Sequence, residues 1–203
     1  MKPSEPYAIG LTGSIATGKS HLAGALRAAR AVVIDADSIS RALTAKGGAA
    51  LPMIRRTFGD AVFSGGELNR KALADVIFGD AEKRAALNNI LHPMIFAEMA
   101  RLREQVASPI VVLEVPLLYE TGYDAQCDEV WCAYVPQHVQ ISRLRKRDGL
   151  TVRAARERLK SQLSGIEKAR RATHVIRTDV SEDESARQVV ALYQALLERL
   201  AHV

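Results

Sequence analysis

Cysteine is scarce. The chain has only Cys127 and Cys132, too few for a disulfide framework or a thiolate metal centre, and both read as reduced core residues. Aromatic residues make up 5% of the sequence, and the most basic stretch, residues 143–171, contains none. A single-strand nucleic-acid binder needs aromatic platforms on which bases stack. The net charge of +5 therefore does not imply a nucleic-acid partner; a local cationic segment suits bound phosphates better. Long apolar runs are missing too. Ile110-Val111-Val112-Leu113 has the length of a buried strand and is stopped by Glu114, and no stretch approaches the ~20 residues that span a bilayer. The opening Met1-Lys2-Pro3-Ser4-Glu5-Pro6 lacks the apolar core of a secretory signal. These absences predict a cytoplasmic protein without nucleic-acid or membrane partners.

The most informative segment present is Gly13-Ser14-Ile15-Ala16-Thr17-Gly18-Lys19-Ser20, which fits the phosphate-binding pattern G-x-x-x-x-G-K-[ST]. Its flanks fit the pattern's structural context. Residues 7–12 form a short apolar run that reads as a buried strand, and residues 19–30, with His21 near their start, read as a helix. Backbone N–H groups of Gly13 through Ser20 would close around phosphate oxygens at the positive end of the helix. Lys19 would reach the β- and γ-phosphates, and the Ser20 hydroxyl would ligate Mg²⁺. The ligand implied is a nucleoside triphosphate with its Mg²⁺.

Apolar, Val- and Ile-rich runs at 7–12, 31–35, 110–115, 129–135 and 174–177 alternate with helical patterns at 19–30, 38–44, 52–58, 70–78, 81–107, 137–147, 152–164 and 182–201. The alternation predicts a doubly wound α/β fold. Together with the phosphate loop it reads as a P-loop NTPase-like three-layer fold with a parallel sheet of about five strands, for which resemblance to known P-loop folds implies the order 2-3-1-4-5. With 203 residues, 48% of them hydrophobic, the chain suits one P-loop domain. Its core is expected over 7–45 and 108–203, with a helical substrate-binding insertion over 46–107 and a small lid over 143–165.

Two carboxylates, Asp35 and Asp37, fall at the carboxyl end of the second strand, where open α/β sheets place their ligands. One of them can take the proton of an attacking hydroxyl while the other serves Mg²⁺ through water. Alternatively, Asp37 is the N-cap of the helix expected from Ser38.

The ordered set of motifs resembles the dephospho-coenzyme A kinase family over nearly the whole length. The set comprises Gly10-Leu11-Thr12-Gly13 leading into the P-loop, Asp35-Ala36-Asp37 with Arg41, and Leu68-Asn69-Arg70-Lys71-Ala72-Leu73. It continues with Leu87-Asn88 before Leu91-His92-Pro93, then Pro116-Leu117-Leu118-Tyr119-Glu120, Gln140-Ile141-Ser142-Arg143-Leu144, Arg147-Asp148-Gly149, and Arg158 through Gln162. The resemblance implies transfer of the ATP γ-phosphate to the ribose 3′-hydroxyl of dephospho-CoA, with Asp37 as general base and Lys19 stabilising the transferring phosphoryl group. It also implies that His92, at a helix end set by Pro93, and Pro116, Leu117 and Leu118 contact the acceptor. Arg41 and Arg70 join Arg143 in clamping substrate phosphates, and Arg147 opens the lid over ATP. The assembly implied is a monomer or weak homo-oligomer.

Two departures from the family pattern stand out. Ala16 takes a loop position that some families fill with glycine, putting a Cβ where φ is positive. Residues 172–178 read Ala-Thr-His-Val-Ile-Arg-Thr where the family often has Ala-Asp-x-Val-Ile-x-Asn, which changes the adenine-side contacts. The rival readings are a kinase for another small molecule and a nucleotide-dependent switch without an acceptor.

Overall fold

Elements are named from a computed structural model that describes residues 5–202; Met1–Ser4, part of the segment read for a signal, lie outside the described residues. The chain runs β1 (Tyr7–Thr12), α1 (Lys19–Ala28), β2 (Val32–Asp35), α2 (Ala36–Leu43), α3 (Leu51–Phe58), a short β3 (Phe63–Ser64) and β4 (Glu67–Leu68), α4 (Arg70–Ile77) and α5 (Ala81–Glu104). It continues through β5 (Ile110–Glu114), β6 (Glu129–Tyr134), α6 (Gln137–Asp148), α7 (Val152–Leu159), α8 (Gly165–Arg171), β7 (His174–Arg177) and α9 (Glu182–Ala201).

Five strands form one sheet in the order β2-β5-β1-β6-β7, which is 2-3-1-4-5 when its strands are counted along the chain. β1 pairs in parallel with β5 and β6, and β6 with β7. The near-continuous apolar character of β1 and β5 has its cause here: helices cover both faces, so every residue of β5 is buried. One face is filled by Ile9, Leu11, Leu22, Leu26, Ile110, Trp131, Val189 and Tyr193, drawing α1 and α9 onto the sheet. Ser181 caps α9 by accepting from the Glu184 N–H at 3.2 Å, with three acidic residues in the first turn to match the helix dipole.

The chain divides into two compact units, Met1–Ile34 with Gln105–Val203, and Asp35–Glu104. The second is helical, with its own core of Ala50, Ile54, Val62, Leu73 and Ile90. It starts at Asp35, eleven residues before the expected 46, because α2 packs against α5. The Ser64-Gly65-Gly66 turn joins β3 to β4 in a two-stranded antiparallel hairpin.

Two elements differ from the sequence reading. Pro93 does not end a helix after His92: α5 runs through it, and the N–H that proline lacks is one backbone hydrogen bond forgone in a helix held by tertiary packing. The helix expected over 152–164 stops at Leu159, and a separate α8 starts behind the Ser164 N-cap, whose hydroxyl accepts from the Glu167 N–H at 3.1 Å.

Candidate active site

The P-loop joins β1 to α1, and its two defining glycines have distinct causes. A Cβ on Gly13 would lie 2.5 Å from Thr17 Oγ1 and 2.8 Å from the Ala133 carbonyl oxygen. Gly18 sits at φ +82°, in the left-handed region that only glycine enters at little cost. Ala16 also adopts a left-handed conformation, φ 61°, as its place in the loop predicts, at a cost of about 1–2 kcal/mol for a residue bearing a Cβ.

Side chains from distant elements hold this loop. The Ile15 N–H donates to Gln162 Oε1 at 3.1 Å, and the Ile15 carbonyl accepts from Gln140 Nε2 at 2.8 Å. Arg143 Nη1 donates to the Ala16 carbonyl at 3.2 Å, and the Thr178 hydroxyl donates to the Thr17 carbonyl. Within the loop, the Ser14 carbonyl accepts from the Thr17 hydroxyl at 2.8 Å. Arg143 is thus partly engaged in shaping the P-loop, donating also to the Thr178 hydroxyl at 3.3 Å and to the Thr178 carbonyl.

Lys19 is buried. Its side chain is 10% exposed, and Nζ donates to Glu114 Oε1 at 2.8 Å; the other Glu114 oxygen accepts from Arg27 Nη2 at 3.2 Å. Glu114 is the last residue of β5, paired in register with Leu11. Ser20 follows with an exposed side chain on the first turn of α1.

Beside the loop opens a cavity of about 520 Å³ lined by Ala16, Gly18, His21, Arg143, Lys146, Arg147, Thr178, Val180, Glu182 and Ser185. Its volume falls within the 300–1,000 Å³ usual for ligand pockets, and three cations against one carboxylate suit an anionic ligand. The structure thus brings His21, Arg143 and Arg147 together with the P-loop. His21 Nε2 lies 2.9 Å from the Glu182 carbonyl oxygen. Arg147 forms a forked pair with Asp148, Nε–Oδ1 2.7 Å and Nη2–Oδ2 2.9 Å, and Asp148 also accepts from Arg158 Nη1 at 2.8 Å. The Asp148 carboxyl is held below its usual range, first by its hydrogen bond to Arg147.

After β5, the Pro116 carbonyl accepts from the Thr12 hydroxyl at 3.2 Å, and Leu117 is half-buried. Leu118 is fully buried, and one of its methyls would lie 2.9 Å from a Cβ on Gly10; it is a core residue and offers a ligand no surface, contrary to its reading as acceptor-binding.

In the helical unit, Asp35 rather than Asp37 caps α2. Its carboxylate accepts from the Asp37 N–H at 2.9 Å, from the Ser38 hydroxyl at 2.6 Å and from Arg41 Nη2 at 3.5 Å. Asp37 is exposed in the first turn. Arg41 and Arg70 meet through backbone: Arg70 Nη2 donates to the Arg41 carbonyl at 3.3 Å and to Thr44 Oγ1 at 2.9 Å. His92 stacks on Phe96 with ring centroids 5.8 Å apart, and burial pulls its imidazole pKa below the ordinary value.

Glu114, Gln140, Gln162 and Thr178 take part in the site without a role read from sequence. Glu114 left a signal, as the lone charge closing an apolar strand. Gln140 and Gln162 stand in the motifs that carry the resemblance, but their role was not readable, because their partner Ile15 lies 125 and 147 residues away.

A parallel sheet in this order, carrying a G-x-x-x-x-G-K-S loop with a buried lysine beside a cationic cavity, defines a P-loop kinase. The family model for dephospho-CoA kinase matches residues 7–184. A dephospho-CoA kinase of Symbiobacterium thermophilum is 45% identical over 92% of this chain and 80% of its own length. A Thermus thermophilus crystal structure superposes with a TM-score of 0.82 at 32% identity, covering 96% of this chain and 98% of that one. A dephospho-CoA kinase from Campylobacter jejuni superposes with a TM-score of 0.64 at 25% identity, covering 95% and 98%. The chain belongs to the dephospho-CoA kinase family.

Proposed function

We propose that this protein transfers the γ-phosphoryl group of ATP to the 3′-hydroxyl of dephospho-CoA, the step that completes coenzyme A. The observation that carries the reading is the buried Lys19–Glu114 pair, set at the foot of a P-loop whose flank lines a cationic cavity, in a chain of this family. Phosphoryl transfer passes through a loose, highly charged transition state, so positioning and charge do most of the work. The Gly13–Ser20 loop, with His21 beside it, would receive the phosphates on the backbone N–H groups that Gln162, Ser14 and Gly18 do not already hold, with Lys19 held by Glu114 to shift onto the transferring group. Arg143 and Arg147 would complete the clamp from the cavity wall, with 143–165 as the lid.

Asp37, exposed and relieved of capping by Asp35, is assigned as the base that takes the 3′-hydroxyl proton. Arg41, Arg70, His92, Pro116 and Leu117 are assigned to the acceptor, with the 35–104 unit as its binding region.

Mg²⁺ fits the donors present. Among the described residues no cluster of three or more His, Cys, Asp or Glu side chains could cage a metal, while Ser20 offers an exposed hydroxyl at the start of α1. A hard cation that keeps its waters and takes most remaining ligands from phosphate oxygens suits such a site. Bound there, it supplies charge neutralisation on the phosphates. Asp35, already committed to its cap, is assigned at most a contact through water. No helix among the described residues is long and apolar enough to cross a membrane; soluble substrates support the reading of a cytoplasmic enzyme.

ADP release followed with and without dephospho-CoA tests the reading. The expected result is turnover that requires dephospho-CoA and saturates with it. Hydrolysis at the same rate without acceptor would assign the chain to nucleotide switches, and preference for another alcohol would assign it a different acceptor.

A further inference from the structure

A charged group is buried in α8 for no reason the P-loop supplies. The Lys168 side chain is 0% exposed, and burial pulls its pKa down against the opposing pull of Glu120. Its partners lie on one turn. Nζ donates to the Pro116 carbonyl at 2.6 Å and to Glu120 Oε2 at 3.0 Å, so one ammonium holds both ends of the segment that follows β5. That turn is tied in two further directions. The Pro116 carbonyl accepts from the hydroxyl of Thr12, the residue before the P-loop. Glu120 Oε1 accepts from the Leu163 N–H at 2.9 Å, and the neighbouring Gln162 accepts from Ile15 inside the P-loop. The contacts form a ring that leaves the P-loop at Thr12, passes through Pro116, Lys168, Glu120 and Leu163, and returns at Ile15.

We propose that Lys168 is the positioning residue that holds the 116–120 turn, and with it Leu117, in register with the P-loop for the phosphoryl acceptor. This rests on reading that turn as the acceptor's ledge. An apolar side chain of similar volume would fill the space at no desolvation cost. What the ammonium adds is direction: its donors aim at a carbonyl and a carboxylate four residues apart and fix the shape between them. Because the same carboxylate takes the Leu163 N–H, the ledge is set together with the root of the 143–165 segment. Displacement of a bound acceptor by about 1 Å is enough to cost on the order of 10²-fold in rate.

The test compares Lys168→Met, Lys168→Arg, the double variant Lys168→Met/Glu120→Gln, and Leu117→Ala, by steady-state kinetics, equilibrium ATP titration and thermal melting. The double variant removes the buried ammonium and its partner's charge together, while the introduced amide can still accept from the Leu163 N–H. Expected is a loss of about 10- to 100-fold in kcat/KM for dephospho-CoA in Lys168→Met and in the double variant, with ATP Kd unchanged within about threefold. The double variant should regain the melting temperature lost by the single one without regaining turnover, and Lys168→Arg should restore part of kcat/KM. Recovery of kcat/KM together with melting temperature in the double variant, or weakening of ATP in step with dephospho-CoA, would overturn the proposal. An unchanged KM for dephospho-CoA in Leu117→Ala would remove the ledge reading and the proposal with it. A raised KM there beside wild-type kinetics in the Lys168 variants would remove the Lys168 proposal alone.

Discussion

Lys19 Nζ and Glu114 Oε1 lie 2.8 Å apart, both side chains at least nine-tenths buried. The P-loop lysine is thus held on a strand-end carboxylate. Removing Lys19 takes away one of the two cations on buried Glu114 and leaves Arg27 on its other oxygen, so the cost falls below the about 3–5 kcal/mol of a buried charge left wholly unpaired. Lys19→Ala should therefore lower kcat by at least about 10²-fold and also lower the melting temperature. Adding Glu114→Gln should restore much of the stability but none of the turnover. Circular dichroism melts beside the ADP-release assay read both quantities; an unchanged melt in Lys19→Ala would mean that the pair contributes nothing to the fold.

Asp35 and Asp37 are separable for a similar reason. Since Asp35 caps α2, Asp35→Ala should cost about 1 kcal/mol of stability. Asp37→Asn keeps the shape of an exposed side chain that does not cap α2 and should cost less stability than Asp35→Ala. If Asp37 takes the acceptor proton, its loss should depress kcat by about 10²–10⁴-fold while ATP affinity holds. Full turnover in Asp37→Asn would send the search for the base elsewhere.

The contrast between these aspartates shows where sequence reasoning reaches and where it stops. The strands and the P-loop were legible because each rests on local pattern, apolar runs for doubly covered strands and glycines spaced for a phosphate turn, whereas the strand order, which joins Tyr7 to Ile110, came with the resemblance. Which of two neighbouring carboxylates would cap α2 was not, since both Asp35 and Asp37 are good caps and the helix start decides between them. Leu118 looked like a ledge until Gly10, over a hundred residues away, proved to be the space it fills. The Gln140–Ile15–Gln162 clamp and the Lys168 ring join residues far apart in the chain, and a buried lysine or glutamine has no periodicity to announce it.

Arg147 and Arg158 both rest on Asp148, which occupies them much as a phosphate would. If Arg147 serves the ATP phosphates as proposed, they would compete with that carboxylate for it, and closure of the segment would exclude water from the reaction. Amide hydrogen exchange across 143–165 should slow when ATP is added. Equal protection with and without nucleotide would assign the segment to the static scaffold.

His92 yields a pH prediction. Burial lowers its folded pKa below the unfolded value of 6.5, so between the two the unfolded chain binds more protons than the folded one. The contribution of neutral His92 to stability is therefore present above about pH 6.5 and declines as pH falls through that window. Melting temperatures measured from pH 8 downward should drop less steeply below neutrality in His92→Phe than in the wild type. Parallel curves would show that His92 does not contribute to the acid sensitivity.

Ala16 is the last residue whose conformation makes a quantitative claim. At φ 61° its Cβ costs about 1–2 kcal/mol, and substitution by glycine relieves that while adding about 0.4–1 kcal/mol of unfolded-chain entropy. Ala16→Gly should therefore melt at or slightly above the wild-type temperature. Ala16→Val places a β-branched side chain in the same left-handed conformation, where such residues are true outliers, and should melt clearly lower. The carbonyl of residue 16 is also the acceptor for Arg143, so a loop displaced by the branched side chain releases one of its anchors. ATP affinity in Ala16→Val should fall with stability, whereas Ala16→Gly should bind ATP nearly as the wild type does. If Ala16→Gly were the less stable of the two, the left-handed conformation at this position would be wrong, and with it the view that Gln140, Gln162, Arg143 and Thr178 hold a strained loop in place.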